Sequence, residues 1–141
     1  SFFSLVQQGK SPSEDERVSQ FLKTFADIVK SLGNSVFIIA GVDMAHVGPK
    51  FGDKDKVNDL TLGRIKERDI KSLEFTEKLD AEGFYRSVEN EKDWRKICGL
   101  SSIYATLSTI QAEEGKLLGY DQALEPDTGS VVSFASLGFY S

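Results

Sequence analysis

The chain has one histidine and one cysteine, and both sit in short, glycine-flanked runs where chemistry is common. His46 falls three residues after Asp43 in Gly41-Val42-Asp43-Met44-Ala45-His46-Val47-Gly48-Pro49-Lys50-Phe51-Gly52. A carboxylate beside an imidazole fixes its tautomer and raises its basicity, and a histidine so held serves as general acid or base near neutral pH. The same short spacing also suits a loop histidine bonded to a carbonyl, with Asp43 capping a turn. Met44 reads as packing. Cys98, in Ile97-Cys98-Gly99, stands just before a segment of helical pattern. A thiol at a helix N-terminus has a stabilised thiolate, which favours metal ligation or nucleophilic attack. A lone cysteine is also commonly a small buried hydrophobe. Asp53, Asp55 and Asp59 crowd the loop after His46 without EF-hand spacing, so they read as a solvated face. One cysteine and one histidine do not by themselves complete a Cys/His structural zinc site.

These residues need elements to hold them. Val36-Phe37-Ile38-Ile39-Ala40 is continuous, apolar and rich in β-branched side chains, the pattern of a central strand covered on both faces. Ligands bind beyond the carboxyl ends of such strands, where Asp43 and His46 would lie. Upstream, residues 2–6 read as the end of a strand and residues 7–12 as a loop. Ser13 and Glu16 form a capping box. Val18, Phe21, Leu22, Phe25, Ile28, Val29 and Leu32 then make one apolar helical face, closed by Gly33 and Asn34 as a left-handed C-cap. Downstream of the loop at 41–55, residues 60–79 read as a helix weakened by Gly63. Asp80 caps a short helix running through Val88. Residues 89–96 form a charged connector, carrying the only tryptophan, Trp94, and lying in water. Residues 103–112 read as a helix with Gly115 at its C-cap. Two strands close the chain at 117–123 and 131–139, joined by a turn at Asp127-Thr128-Gly129. Helix, buried strand, helices and two strands in that order indicate α/β layers in one domain spanning residues 1–141.

Composition removes several functions. Lys and Arg total 17 against 22 Asp and Glu, for a net charge of −5. With no basic stripe interleaved with aromatics, nucleic-acid binding is disfavoured. No apolar run approaches the ~20 residues that cross a bilayer. A single cysteine fits a cytoplasmic protein. There is no phosphate-binding P-loop, no Gly-x-Gly-x-x-Gly fingerprint, no His-Glu-x-x-His and no Gly-x-Ser-x-Gly elbow. Kinases, P-loop NTPases, dinucleotide enzymes and ordinary serine hydrolases are therefore disfavoured.

Three ordered motifs resemble one family. The run from Ile39 to Gly52 is similar to the Memo-family strand-loop motif, an Asp-hydrophobic-x-His stretch followed by Gly-Pro/Gln-Arg/Lys-Phe. Ile97-Cys98-Gly99-Leu100-Ser101-Ser102-Ile103 resembles its Ile-Cys-Gly-x-x-Pro-Ile motif, with Ser102 where proline is more usual. Leu118-Gly119-Tyr120, together with Ser130-Val131-Val132-Ser133-Phe134-Ala135-Ser136, is similar to its closing strands. Ser1-Phe2 resembles a Gly-Ser-Phe segment of bacterial members, often called AmmeMemoRadiSam system protein B.

The resemblance implies the C-terminal half of a three-layer αβα fold shared with the LigB-type class III extradiol dioxygenases, with the N-terminal half, which carries two metal-binding histidines, missing. The opening on Ser1 without an initiator methionine reads the same way. In that scheme Cys98 is a ligand of a mononuclear iron or copper centre, His46 moves protons, and Asp43 orients His46 or the substrate. The chain alone would supply one matched metal ligand and would hold no metal tightly, so the fragment is expected to be inactive. It would also expose sheet surface that the missing half, a homodimer or strand exchange would bury. Dioxygenase-like or other oxidative chemistry of the intact parent is the first expectation. A non-enzymatic binding or adaptor module that keeps the cavity is the second, and a partner of radical-SAM and AMMECR-like proteins the third.

Overall fold

In the computed structural model, which describes residues 2–141 apart from the Asn34 side chain, the chain starts in a helix rather than a strand. Ser1, the first residue of the Ser1-Phe2 match, lies outside the described residues. The Phe2 carbonyl accepts from the Leu5 and Val6 N–H groups at 2.9 and 3.0 Å, which opens α1 (Phe3–Gln8), and Gly9 ends it in the left-handed conformation. So short an apolar run carries no period that separates strand from helix. Packing decides: Leu5 and Val6 are buried in one cluster with Phe84, Tyr85 and Tyr104. The Phe2 ring meets Tyr85 and Tyr104 edge-on, with centroids 6.4 and 5.6 Å away.

The capping box also forms one frame earlier than expected. Ser11, Pro12 and Glu14 build a 3-10 turn in which Ser11 and Glu14 cap each other. Two overlapping Ser-x-x-Glu frames compete here, and proline suits the first position of a helical turn, which favours the earlier one. Asp15 then caps α2 (Glu16–Leu32), accepting from the Arg17 and Val18 N–H groups. Gly33 has a positive φ of 51°, but its ψ of −133° lies outside the left-handed helical basin, and the chain continues into a 3-10 turn at Gly33–Ser35.

The largest departure is at residues 36–40. They form no strand, and Phe37 and Ile39 are 87% and 77% exposed. A buried central strand needs a hydrogen-bonding neighbour and cover on both faces. Among the described residues no strand pairs with this segment. It runs irregularly to a tight turn in which the Val42 N–H donates to the Ala40 carbonyl.

The sheet instead lies at the C-terminus. β2 (Glu114–Glu125) and β3 (Ser130–Tyr140) form a long antiparallel hairpin, and β1 (His46–Val47) pairs with the other edge of β3, giving the order β1-β3-β2. The register sets His46 opposite Val132, and Glu125 opposite Ser130 across the expected turn. Gly129 takes its positive φ of 67° in that turn. The extra residue between Leu117 and Gly119 makes a bulge in β2. Gly115 belongs to β2, paired with Phe139, and does not cap a helix.

One helix packs on this hairpin and two more build the core beside it. α3 (Asp59–Glu77) starts at Asn58, whose side chain accepts from the Thr61 N–H. α4 (Ala81–Glu89) starts at Asp80, as expected. α5 (Leu100–Thr109) starts and ends three residues sooner than the expected 103–112, so it begins directly after Cys98-Gly99. The fold is mixed α/β, and no helix among the described residues is long and apolar enough to cross a membrane.

Candidate functional site

His46 stands where three separate supports converge. Its backbone N–H donates to the Arg95 carbonyl at 2.7 Å, and its strand is laddered to β3. The preceding residues are zipped to Ser133 on β3. The Met44 N–H donates to the Ser133 carbonyl at 2.9 Å, the Ser133 N–H to the Ala45 carbonyl at 3.0 Å, and the Ala45 N–H to the Ser133 hydroxyl at 2.8 Å. The imidazole Nδ1 lies 3.2 Å from the Met44 carbonyl, and since a carbonyl only accepts, the proton is on Nδ1. Nε2 is thereby left to face Asp43, whose Oδ2 is 3.9 Å away. The Phe51 ring packs edge-on against the imidazole at 5.0 Å. The histidine side chain is 19% exposed and that of Asp43 52%, so the pair forms a rim open to solvent on one side. Met44 is buried and packs, as expected.

Cys98 reaches the same rim from 55 residues downstream of Asp43. The Gly99 N–H donates to the Asp43 carbonyl at 3.1 Å, and the Cys98 thiol donates to the same oxygen at 3.5 Å. A Cβ on residue 99 would stand 2.7 Å from the Asp43 carbonyl and 2.8 Å from Val42 Cγ2. Glycine after the cysteine is thus what lets the two loops touch. Cys98 is exposed rather than buried in the core. Donor atoms of Asp43, His46 and Cys98 all lie within 4.8 Å of one another, so the structure brings together the three residues singled out from sequence. Asp53 serves another purpose. It accepts from the Gly48 N–H and from Lys96, closing the loop beyond His46. Burial alone would raise its pKa, but hydrogen bonds from Lys96 and the Gly48 N–H, with the Lys96 charge, hold it below the ordinary value.

Beneath the rim lies a network that the sequence reading placed in water. Arg95 is 1% exposed, and its Nη1 donates to Asp69, itself fully buried, at 2.5 Å. Arg95 also donates to Ser72 and Glu91, while the Ser133 and Tyr120 hydroxyls donate to the other Asp69 oxygen. Burial, then the charge of Asp69, push the Tyr120 hydroxyl up, so it stays a donor. Ser133 thus links the buried carboxylate to the Ala45 N–H, and Arg95 links it to the His46 N–H. The alternating charge of residues 89–96 concealed this. The available signal was Asp69 itself, a charged residue on the same face of α3 as the buried Ile65 and Leu73.

A profile of the family described as Memo-like protein matches residues 9–138. The chain belongs to the Memo-like family. It is also 29% identical over 140 residues to a protein of Aquifex aeolicus (strain VF5) described as "MEMO1 family protein", covering 97% of this chain and 34% of that one. This Memo-like chain therefore spans about a third of the length of the curated relative it matches. The family match embraces all three site residues, and the Ile-Cys-Gly motif is the one whose glycine carries the contact to Asp43.

Proposed function

We propose that Asp43, His46 and Cys98 are this chain's contribution to a non-haem iron or copper centre, completed in an intact parent with dioxygenase-like or other oxidative chemistry. The observation that carries the reading is the convergence of a carboxylate, an imidazole and a thiol within 4.8 Å. Metal bonds of about 2.0–2.3 Å hold neighbouring ligand atoms about 3.6 Å apart in a tetrahedral site. The 3.9 Å between Nε2 and Asp43 is close to that spacing. A hydrogen bond from Nδ1 to a backbone carbonyl is the usual device that orients a ligating histidine and keeps Nε2 unprotonated. The donor set fits, and a thiolate in it draws the preference toward softer ions such as copper(I).

When bound, such a metal supplies a Lewis acid and one-electron chemistry toward oxygen. The residues do the rest. Cys98 offers its thiol at the N-terminal end of α5. His46 would offer its Nε2 lone pair to the metal, with Asp43 supplying a carboxylate oxygen beside it. Either group would take up a proton only when displaced from the metal. In the intact parent, residues 36–40 become a strand of a three-layer αβα arrangement, and their exposed apolar side chains are covered by the remainder. That exposure favours a second reading, a binding module in which the same surface docks a partner without turnover. Copper(II) reconstitution of the parent separates the two. A thiolate-to-metal absorption band that disappears in Cys98→Ala and changes in His46→Gln supports the metal centre. A spectrum unaltered by Cys98→Ala refutes it.

A further inference from the structure

A cleft lies away from the Asp43–His46–Cys98 rim. It has a volume of about 690 Å³, within the range of small-molecule sites, and runs between α3 and α4 with Trp94 in its wall. Arg64, Arg68, Lys71 and Arg86 line it against a single lining carboxylate, Glu91, although the chain as a whole carries a net charge of −5. Arg64, Arg68 and Lys71 recur at helical spacing, so they share one face of α3 over about 10 Å of its axis. Ser87 and Asn90 add neutral polar groups from the α4 side.

The ion pairs show which charges are committed. Lys71 is held by Glu67 in an exposed, solvent-screened pair, and Arg86 is held more firmly by Glu89, whose side chain is mostly buried. Arg86 also lies 3.6 Å from Glu14. Glu91 lies 3.5 Å from Arg68, but it accepts a hydrogen bond at 3.0 Å from the buried Arg95. Among the described residues no carboxylate lies within ion-pair distance of Arg64. Its guanidinium is stacked over the Trp94 ring, 4.5 Å from the centroid. A stacked guanidinium keeps its edge free, and that edge matches the paired oxygens of a phosphoryl group. Among the described residues the buried Trp94 indole N–H has no acceptor, which marks this wall as unfinished in its polar contacts.

We propose that the α3–α4 cleft is a binding site for an oligophosphate anion, held by the edge of Arg64 and by Arg68 and Lys71. One phosphoryl group does not reach along the whole row of cations, whereas two or three in series do. The ligand is either a bare phosphate chain or a phosphate chain carrying an organic group that lies on Phe75 and Trp94.

Trp94 is the only tryptophan in the chain, so its emission reports this cleft directly. The test is titration of the full chain with orthophosphate, tripolyphosphate and a magnesium-free nucleoside triphosphate at constant ionic strength. It is followed by tryptophan fluorescence and, independently, by calorimetry. The expected result is saturable binding of tripolyphosphate, at least about tenfold tighter than orthophosphate. Arg64→Gln/Lys71→Gln should weaken it about tenfold, with unchanged helical circular dichroism, and Lys54→Gln, outside the cleft, should leave it unaltered. A nucleoside triphosphate binding more tightly than tripolyphosphate identifies the organic-phosphate source, and equal or weaker binding the bare chain. No saturable signal by either method, an affinity unchanged in the double variant, or an equal response to sodium chloride would overturn the proposal.

Discussion

Removing the Arg95 side chain as Arg95→Met tests whether the buried network holds the site. In the native protein Asp69 is fully buried and its charge is balanced by Arg95, with hydroxyl donors from Ser133 and Tyr120. The substitution leaves those two hydrogen bonds but strips the counter-charge from a carboxylate with no access to water. Breaking a buried pair in this way costs about 3–5 kcal/mol, whereas an exposed pair costs about 0–1. For a chain of this size each kcal/mol moves the midpoint by about 2–4 °C, so thermal unfolding should shift down by about 6–20 °C. Replacing both partners, as Arg95→Met with Asp69→Leu, removes the stranded charge and should recover a large part of the loss, which a double-mutant cycle reads as a coupling energy. Circular dichroism in urea supplies the free energies. The His46 ring resonances supply the link to the site, because the Arg95 carbonyl and Ser133 hydroxyl hold the backbone at Ala45 and His46. A loss below about 1 kcal/mol in Arg95→Met would equate this pair with a surface one and rule out a structural role for the buried network.

Other consequences are equally checkable. Gly99→Ala places a Cβ against the Asp43 carbonyl and Val42, so it should cost about 1–3 kcal/mol and spread the Asp43 and Cys98 loops. Faster alkylation of Cys98 in that variant is the readout. Gly48 has φ 117° and a Cβ there would stand 2.6 Å from Ser130 Cα, so Gly48→Ala should lower the thermal midpoint and disturb β1. Asp53 has a depressed pKa in the folded protein, so its stabilising effect is full above the ordinary value of 3.8 and fades as the pH falls through the folded value. Asp53→Asn should therefore be less stable than the native chain near neutrality, and the gap should close in strongly acidic solution. A gap independent of pH would contradict the Lys96 and Gly48 contacts as its source.

What was legible in the sequence follows from locality. The hairpin and its turn, α2, α3 and α4 are written in local period and capping residues, and Asp80 and Asp127-Thr128-Gly129 fall where they should. Residues 36–40 failed for the opposite reason. Their pattern states what surroundings they need, and pairing is a property of the rest of the fold. Residues 2–6 were too short to show a period, and the Phe2 contacts with Tyr85 and Tyr104 settled them. Asp43, His46 and Cys98 were each visible as residue types in glycine-flanked loops. Their convergence was implied by the family resemblance alone and by no local signal, because it depends on the closeness that Gly99 permits across 55 residues of sequence. Arg95 was hidden because a charge run in a connector looks solvated until the one charge that faces Asp69 is known.

The central claim, that Asp43, His46 and Cys98 belong to a metal centre, is met most directly by elemental analysis of the intact parent, its Cys98→Ala variant and this 141-residue chain. Near-stoichiometric iron or copper is expected in the parent, with its loss in the variant and in the isolated chain. A parent that takes up neither metal under anaerobic, metal-replete conditions would contradict it and leave the binding-module reading in its place.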